Sequence, residues 1–258
     1  MTQPVIEVEH LSVRRGNTIV VSDATFTINR GDYVGIVGPN GGGKTTLVEA
    51  ILGLLPKESG KITILGKPVE EFDMWEKVGY VPQHAINFDT MFPLTVKELV
   101  ALGRIGRWNL GKKLNPEDWK EIKEAMEFLE IAHLAERRVG KLSGGQMQRV
   151  FIARAITRKP EILILDEPVA GIDPSLQERF YKLLSNLNLK KRTTIVVVSH
   201  DLSVVFCRMS KVICVNRKTY TCEVNETTEP EKILREVYGE HFHFVFHKHE
   251  CRGIFGNE

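Results

Sequence analysis

Residues 38–46 read GPNGGGKTT, and from Gly38 to Thr45 they fit the spacing G-x-x-x-x-G-K-[ST]. In the stretch Gly38, Pro39, Asn40, Gly41, Gly42 and Gly43 the glycines let backbone N–H groups converge on an anion. Lys44 adds a cation for terminal phosphates, and the hydroxyl of Thr45, followed by Thr46, is a hard oxygen ligand suited to Mg²⁺. A second chemical group ends the run ILILDE at 162–167, which delivers Asp166 and Glu167 side by side. Asp166 is suited to hold Mg²⁺ directly or through water, and Glu167 to orient or deprotonate an attacking water. A third is LSGGQ at 142–146, where Ser143, Gly144, Gly145 and Gln146 open a helical run and offer another set of free N–H groups at a positive helix end. Each has a plainer reading: a glycine-rich turn, a solvated acid pair, an ordinary helix N-cap. Their coexistence in one chain argues for the chemistry.

These groups need elements to position them. The runs VIEVEHLSV (5–13), IVVSDATFTI (19–28), YVGIV (33–37) and KITIL (61–65) are β-branched and separated by Gly, Asn and Asp, so they predict strands. TLVEAILGLL follows the glycine loop with helical spacing, which gives the strand, loop, helix order that a phosphate loop requires. From about residue 84 to 158 the composition turns helical, with LTVKELVALG and PEDWKEIKEAMEFLEIAHLAERR; in the latter Trp119, Ile122, Met126 and Leu129 fall on one face. EILILDEP and TTIVVVSH suit central parallel strands covered on both faces. KVICVNRKTYTCEV (211–224) predicts a hairpin and EPEKILREVYGE a short helix, and the chain shows no internal repeat.

Composition narrows the class. The chain has 258 residues, 42% of them apolar, enough for a sizeable core. Lys+Arg 35 against Asp+Glu 33, with the signs interleaved, argues against nucleic acid as a partner. No run approaches the roughly 18 apolar residues that a membrane span needs, and MTQPVIEVEH lacks the regions of a signal peptide. A cytoplasmic protein is expected. In that compartment Cys207, Cys214, Cys222 and Cys251, without CxxC spacing, read as free thiols.

LSGGQ, and the run LSGGQMQRVFIARAI around it, resembles the signature of the ABC ATPases. Further matches follow that family's order: Gln83 in GYVPQ resembles the Q-loop glutamine, which senses Mg²⁺ and water; Asp173 in EPVAGIDP resembles the D-loop aspartate; and His200, ending IVVVSH, resembles the switch histidine that meets the γ-phosphate. One departure is Arg15 in LSVRRGN, where these cassettes usually place an aromatic to stack on adenine; a guanidinium can also stack on a base. The resemblance implies an ATPase using ATP and Mg²⁺, on an α/β P-loop NTPase cassette with a parallel core sheet, an N-terminal antiparallel β-portion and an inserted helical subdomain. It divides the chain into 1–83 (core with phosphate loop), 84–158 (helical subdomain with signature), 159–224 (rest of the core) and 225–258 (helix and His-rich tail).

It also implies partners. Two copies would meet head to tail, Ser143 and Gly145 of one closing over the γ-phosphate held by the other, and a separate transmembrane permease would anchor the pair on the inner face of the membrane. VPQHAINFDTMFPLTVKELVALGR, LILDEPVAGID and CVNRKTYTCEV resemble the cassettes of zinc and manganese importers, which work with a solute-binding protein. In the tail HFHFVFHKHEC, His241, His243, His247, His249 and Cys251 share one parity and could face one way on a strand to bind a metal, although a frayed, solvated tail is the plainer reading. The competing functions are a soluble ABC ATPase of repair or iron–sulfur assembly, and a metal-binding protein with a vestigial nucleotide site.

Overall fold

The structure, a computed structural model, describes residues 3–83, 85, 93–106, 109–169 and 174–224. The chain opens with strands β1 (Pro4–Arg15), β2 (Thr18–Asn29) and β3 (Tyr33–Val37), then helix α1 (Lys44–Ile51) and strands β4 (Ser59–Ile64), β5 (Lys67–Pro68) and β6 (Val78–Val81). Helices α2 (Val96–Ala101), α3 (Pro116–Phe128) and α4 (Gly144–Ile156) follow. Strand β7 (Ile162–Asp166), α5 (Pro174–Lys191), β8 (Thr194–Val198), α6 (Leu202–Arg208) and the hairpin β9 (Lys211–Asn216) with β10 (Lys218–Glu223) complete it. The fold is the mixed α/β cassette expected, divided into two compact units.

The first unit comprises residues 1–73 and 188–258. Its antiparallel sheet has the order β2-β1-β4-β5, with alternate residues such as Leu11 and Val13 of β1 and Ala24, Phe26 and Ile28 of β2 buried. A sheet with one covered face needs only every second side chain to be apolar. The strands β10-β9-β3-β8 lie side by side, with β3 parallel to both β8 and β9. Both β3 and β8 are buried at every residue, as a parallel strand covered on two faces must be. Lys211 sits buried at the start of β9, where Asp32, Glu223 (each 3.1 Å) and the Thr27 carbonyl (3.0 Å) accept from its ammonium. A buried cation is tolerable only with such partners.

The second unit comprises residues 74–187. Strands β6 and β7 run parallel, Val81 beside Leu165, and α4 packs on α2, α3 and β6. Helices α2 and α3 start at capping boxes, Thr95 with Glu98 and Asn115 with Asp118, each satisfying two orphan N–H groups. Ile122, Met126 and Leu129 of the predicted face are buried, but Trp119 is 44% exposed. At 3.6 residues per turn the buried arc is centred on Ala125 and Leu129, and Trp119 falls on its rim. The thiol reading also needs correction: Cys214 and Cys222 keep their thiols, as expected, whereas Cys207 is disulfide-bonded. Spacing along the chain does not show which sulfurs approach in space.

Candidate functional site

In the first unit, β3 ends at Val37 and the glycine loop turns the chain into α1 at Lys44. A Cβ on Gly38 would lie 1.9 Å from the Val215 carbonyl oxygen, so only glycine lets the loop lie flat against β9. Gly43, the N-cap of α1, has φ 104°, and a Cβ there would come 2.9 Å from the Val20 oxygen of β2. No side chain caps α1, which suits a helix end whose first N–H groups serve an anion. Lys44 is 6% exposed and donates to the carbonyls of Gly38 (2.9 Å) and Pro39 (3.2 Å). Its charge is thereby held inside the loop. These features fit a triphosphate: unbranched backbone, a sequestered cation and the half-buried Thr45 next to it. His200 leaves the same carboxyl edge of the sheet, two residues beyond Val198, which pairs with Ile36, and it is exposed.

In the second unit, β7 is buried throughout and ends at Asp166, 1% exposed, with Glu167 half-buried after it. Glu167 adopts φ 47°, a left-handed backbone that costs a non-glycine residue about 1–2 kcal/mol. Gln83, two residues past the end of β6, donates through Nε2 to Glu167 Oε2 at 2.8 Å. The parallel pairing of Val81 with Leu165 brings both to one strand edge. A carboxylate aimed by an amide in this way can orient a water and accept its proton.

Ser143 and Gly144 of the signature are exposed, Gly145 and Gln146 half-buried. Ser143 Oγ accepts from the Gln146 N–H (3.3 Å) and Gln146 Oε1 from the Ser143 N–H (3.1 Å), a third capping box. Beside it a pocket of about 300 Å³ is lined by Ser143, Gly145, Gln146, Glu130, His133 and Arg149, among others. Glu130 accepts from Arg149 (3.0 Å) and Arg179 (2.6 Å), fixing both cations beside the signature. Arg15, at the end of β1, pairs with Glu49 of α1. The sequence reading missed Glu130, Arg179 and Glu49: they lie far along the chain from the residues they hold, and opposite charge was the only trace. Asp173 and the row His241, His243, His247, His249 and Cys251 lie outside the described residues.

A glycine loop with a sequestered lysine, a carboxylate pair at a parallel strand end and a capped signature helix define a nucleotide-binding cassette. Residues 21–170 match the family described as ABC transporter. The zinc uptake system ATP-binding protein ZurA of Listeria monocytogenes is 40% identical over 214 residues, 83% of this chain and 83% of its own length. The manganese transport system ATP-binding protein MntB of Listeria innocua is 37% identical over 235 residues, covering 91% and 96%. The dimeric post-hydrolysis state of the cassette MJ0796 bound to ADP and Pi superposes with a TM-score of 0.72 at 26% identity, covering 85% of this chain and 99% of that one. This chain belongs to the ABC transporter family. It is an ATP-binding subunit, and its activity is ATP hydrolysis coupled to transport. No helix among the described residues is long and apolar enough to cross a membrane.

Proposed function

We propose that this subunit drives uptake of a divalent metal ion, zinc or manganese, through a separate permease. The observation that carries this reading is the 37–40% identity, over most of the chain, to proteins named for zinc and manganese transport. The alternatives of repair, iron–sulfur assembly or a vestigial nucleotide site are not favoured. Gly38 through Thr46 bind the phosphates, and Lys44 exchanges its loop carbonyls for phosphate oxygens. Thr45, Asp166 and Gln83 are the residues that would hold Mg²⁺, which supplies charge neutralisation on the phosphates. Glu167, aimed by Gln83, accepts the proton of the attacking water, and His200 steadies the γ-phosphate.

Dimerisation follows from the signature. Ser143 and Gly145 place N–H groups and a hydroxyl at an exposed helix start, where they serve the γ-phosphate bound by a second copy, with Asp173 at the seam. A groove of about 590 Å³ in the second unit is lined by Trp75, Tyr80, Pro82, Leu102, Ile105 and Phe151, together with Arg154 and Arg158. Trp75, Leu102 and Ile105 are each about 38–39% exposed, an apolar patch suited to a cytoplasmic segment of the permease. Pro82 precedes Gln83, so the groove adjoins the residue that aims Glu167. The subunit then acts on the inner face of the membrane, with a solute-binding protein delivering the ion to the far side. Co-purification of the native complex, permease and solute-binding protein included, and its reconstitution in liposomes loaded with ATP tests this: uptake of radiolabelled zinc or manganese is expected. ATP turnover in that complex without uptake of either ion would refute it.

A further inference from the structure

We propose that Glu49 is a positioning residue for the nucleotide base: it holds the Arg15 guanidinium by its edge, so that the flat face meets the base and accepts guanine as readily as adenine. This rests on the phosphate-loop reading above. Arg15 ends β1, opposite Thr18 at the start of β2, and the next turn of β2 runs against the loop, where Val20 O lies 2.9 Å from a Cβ built on Gly43. Glu49 lies five residues beyond Lys44 on α1, and its Oε2 accepts from Arg15 Nη2. The base of any nucleotide whose phosphates lie on Gly41–Thr45 therefore has this hairpin and this face of α1 as neighbours.

The neighbouring cations are otherwise committed. Arg14 donates to both carboxylate oxygens of Glu58 (3.0 and 3.2 Å), and Lys44 is held by the loop carbonyls. A guanidinium is planar and its hydrogen bonds lie in its plane, so a carboxylate at one edge leaves both faces open for stacking. The Arg15 and Glu49 side chains are 47% and 28% exposed, so the pair lies at the surface where a base can reach it. The long side chain would otherwise sample many rotamers, and Glu49 selects one of them before the nucleotide arrives. Stacking on a π-face reads no exocyclic group, so the contact does not separate one purine from another.

Calorimetric titration of the full chain with ATP, GTP and inorganic tripolyphosphate tests this. Wild type should bind ATP and GTP within about threefold of each other. Arg15→Ala should weaken both by about tenfold and leave tripolyphosphate unchanged. Glu49→Ala should weaken both nucleotides by about threefold to tenfold, again sparing tripolyphosphate, and Glu49→Gln, which keeps an in-plane acceptor, should recover most of the loss. If Glu49→Ala lowers Tm but leaves the ratio of ATP to tripolyphosphate affinity unchanged, the pair is a strut and the proposal falls. A wild-type preference for ATP over GTP beyond about twentyfold would also overturn it. Failure of the phosphate-loop reading looks different: tripolyphosphate would then bind Lys44→Ala as tightly as wild type.

Discussion

Glu167→Gln isolates the proton acceptor from the geometry that aims it. The amide keeps the length of the side chain, and its oxygen can still accept from Gln83 Nε2 at the 2.8 Å seen for the carboxylate. That hydrogen bond changes from charge-assisted to neutral, a loss of about 1 kcal/mol. The left-handed backbone at φ 47° costs Glu and Gln alike, so the fold should survive with a Tm lower by a few degrees at most. Catalysis loses its base, about 10²–10⁴ in rate, or roughly 3–5 kcal/mol of barrier. The chemical effect thus exceeds the structural one several-fold. ATP affinity, carried by Lys44 and the loop, should stay within about threefold of wild type by fluorescent-nucleotide titration. With hydrolysis stalled, an ATP-dependent dimer should appear in size-exclusion chromatography and dissociate with ADP. Turnover at the wild-type rate would remove Glu167 from the role of base; an inactive variant that stays monomeric with ATP would refute the shared-site mechanism.

Lys44→Ala should weaken ATP binding by about 10- to 100-fold, the value of a charge-assisted phosphate contact; unchanged affinity in equilibrium dialysis would show that the loop is not the phosphate site. Ser143→Arg puts a cation at an exposed position and costs about 1 kcal/mol of helix capping. ATP should still bind, while sedimentation velocity should show no ATP-driven dimer. Gly38→Ala forces a methyl against the Val215 oxygen and should destabilise by about 1–3 kcal/mol or more, whereas Gly41→Ala, where a Cβ meets nothing within 4 Å, should cost only about 1–2 kcal/mol for its positive φ; equal melting temperatures would contradict the packing described. Asp118→Asn probes the cap of α3, since the Asn115 N–H and then Arg104 hold the Asp118 carboxyl below the usual carboxylate range. A carboxylate whose pKa falls on folding stabilises fully above its unfolded value, near pH 4, and loses that contribution as pH drops through the folded value. The variant should therefore be about 1–2 kcal/mol less stable than wild type at neutral pH, and the gap should close below about pH 4 in urea titrations.

What the sequence determined by itself is the chemistry carried by consecutive residues. The glycine loop with Lys44, the pair Asp166 and Glu167, and the serine and glycines of the signature are each a run of neighbouring residues that covalent geometry alone keeps together. The strands around them were legible for a related reason: an all-apolar run such as YVGIV can be stable only where both faces are covered, and β3 is. Tertiary structure alone decided the partnerships between distant residues. Gln83 meets Glu167 because β6 and β7 pair in one parallel register, and a slip of one residue would turn each side chain to the opposite face. Glu49 meets Arg15 because a hairpin packs beside the helix that follows the loop, and Glu130 gathers Arg149 and Arg179 from two helices. Lys211 reads from the sequence as a strand residue like its neighbours, yet it is buried among Asp32, Glu223 and a carbonyl oxygen. Trp119 shares the predicted face yet is 44% exposed, because a period of 3.6 defines an arc while the packing of α3 on α2 and α4 decides where the buried part of that arc is centred. Periodicity constrains what a residue can face; the register and the neighbouring elements decide what it does face.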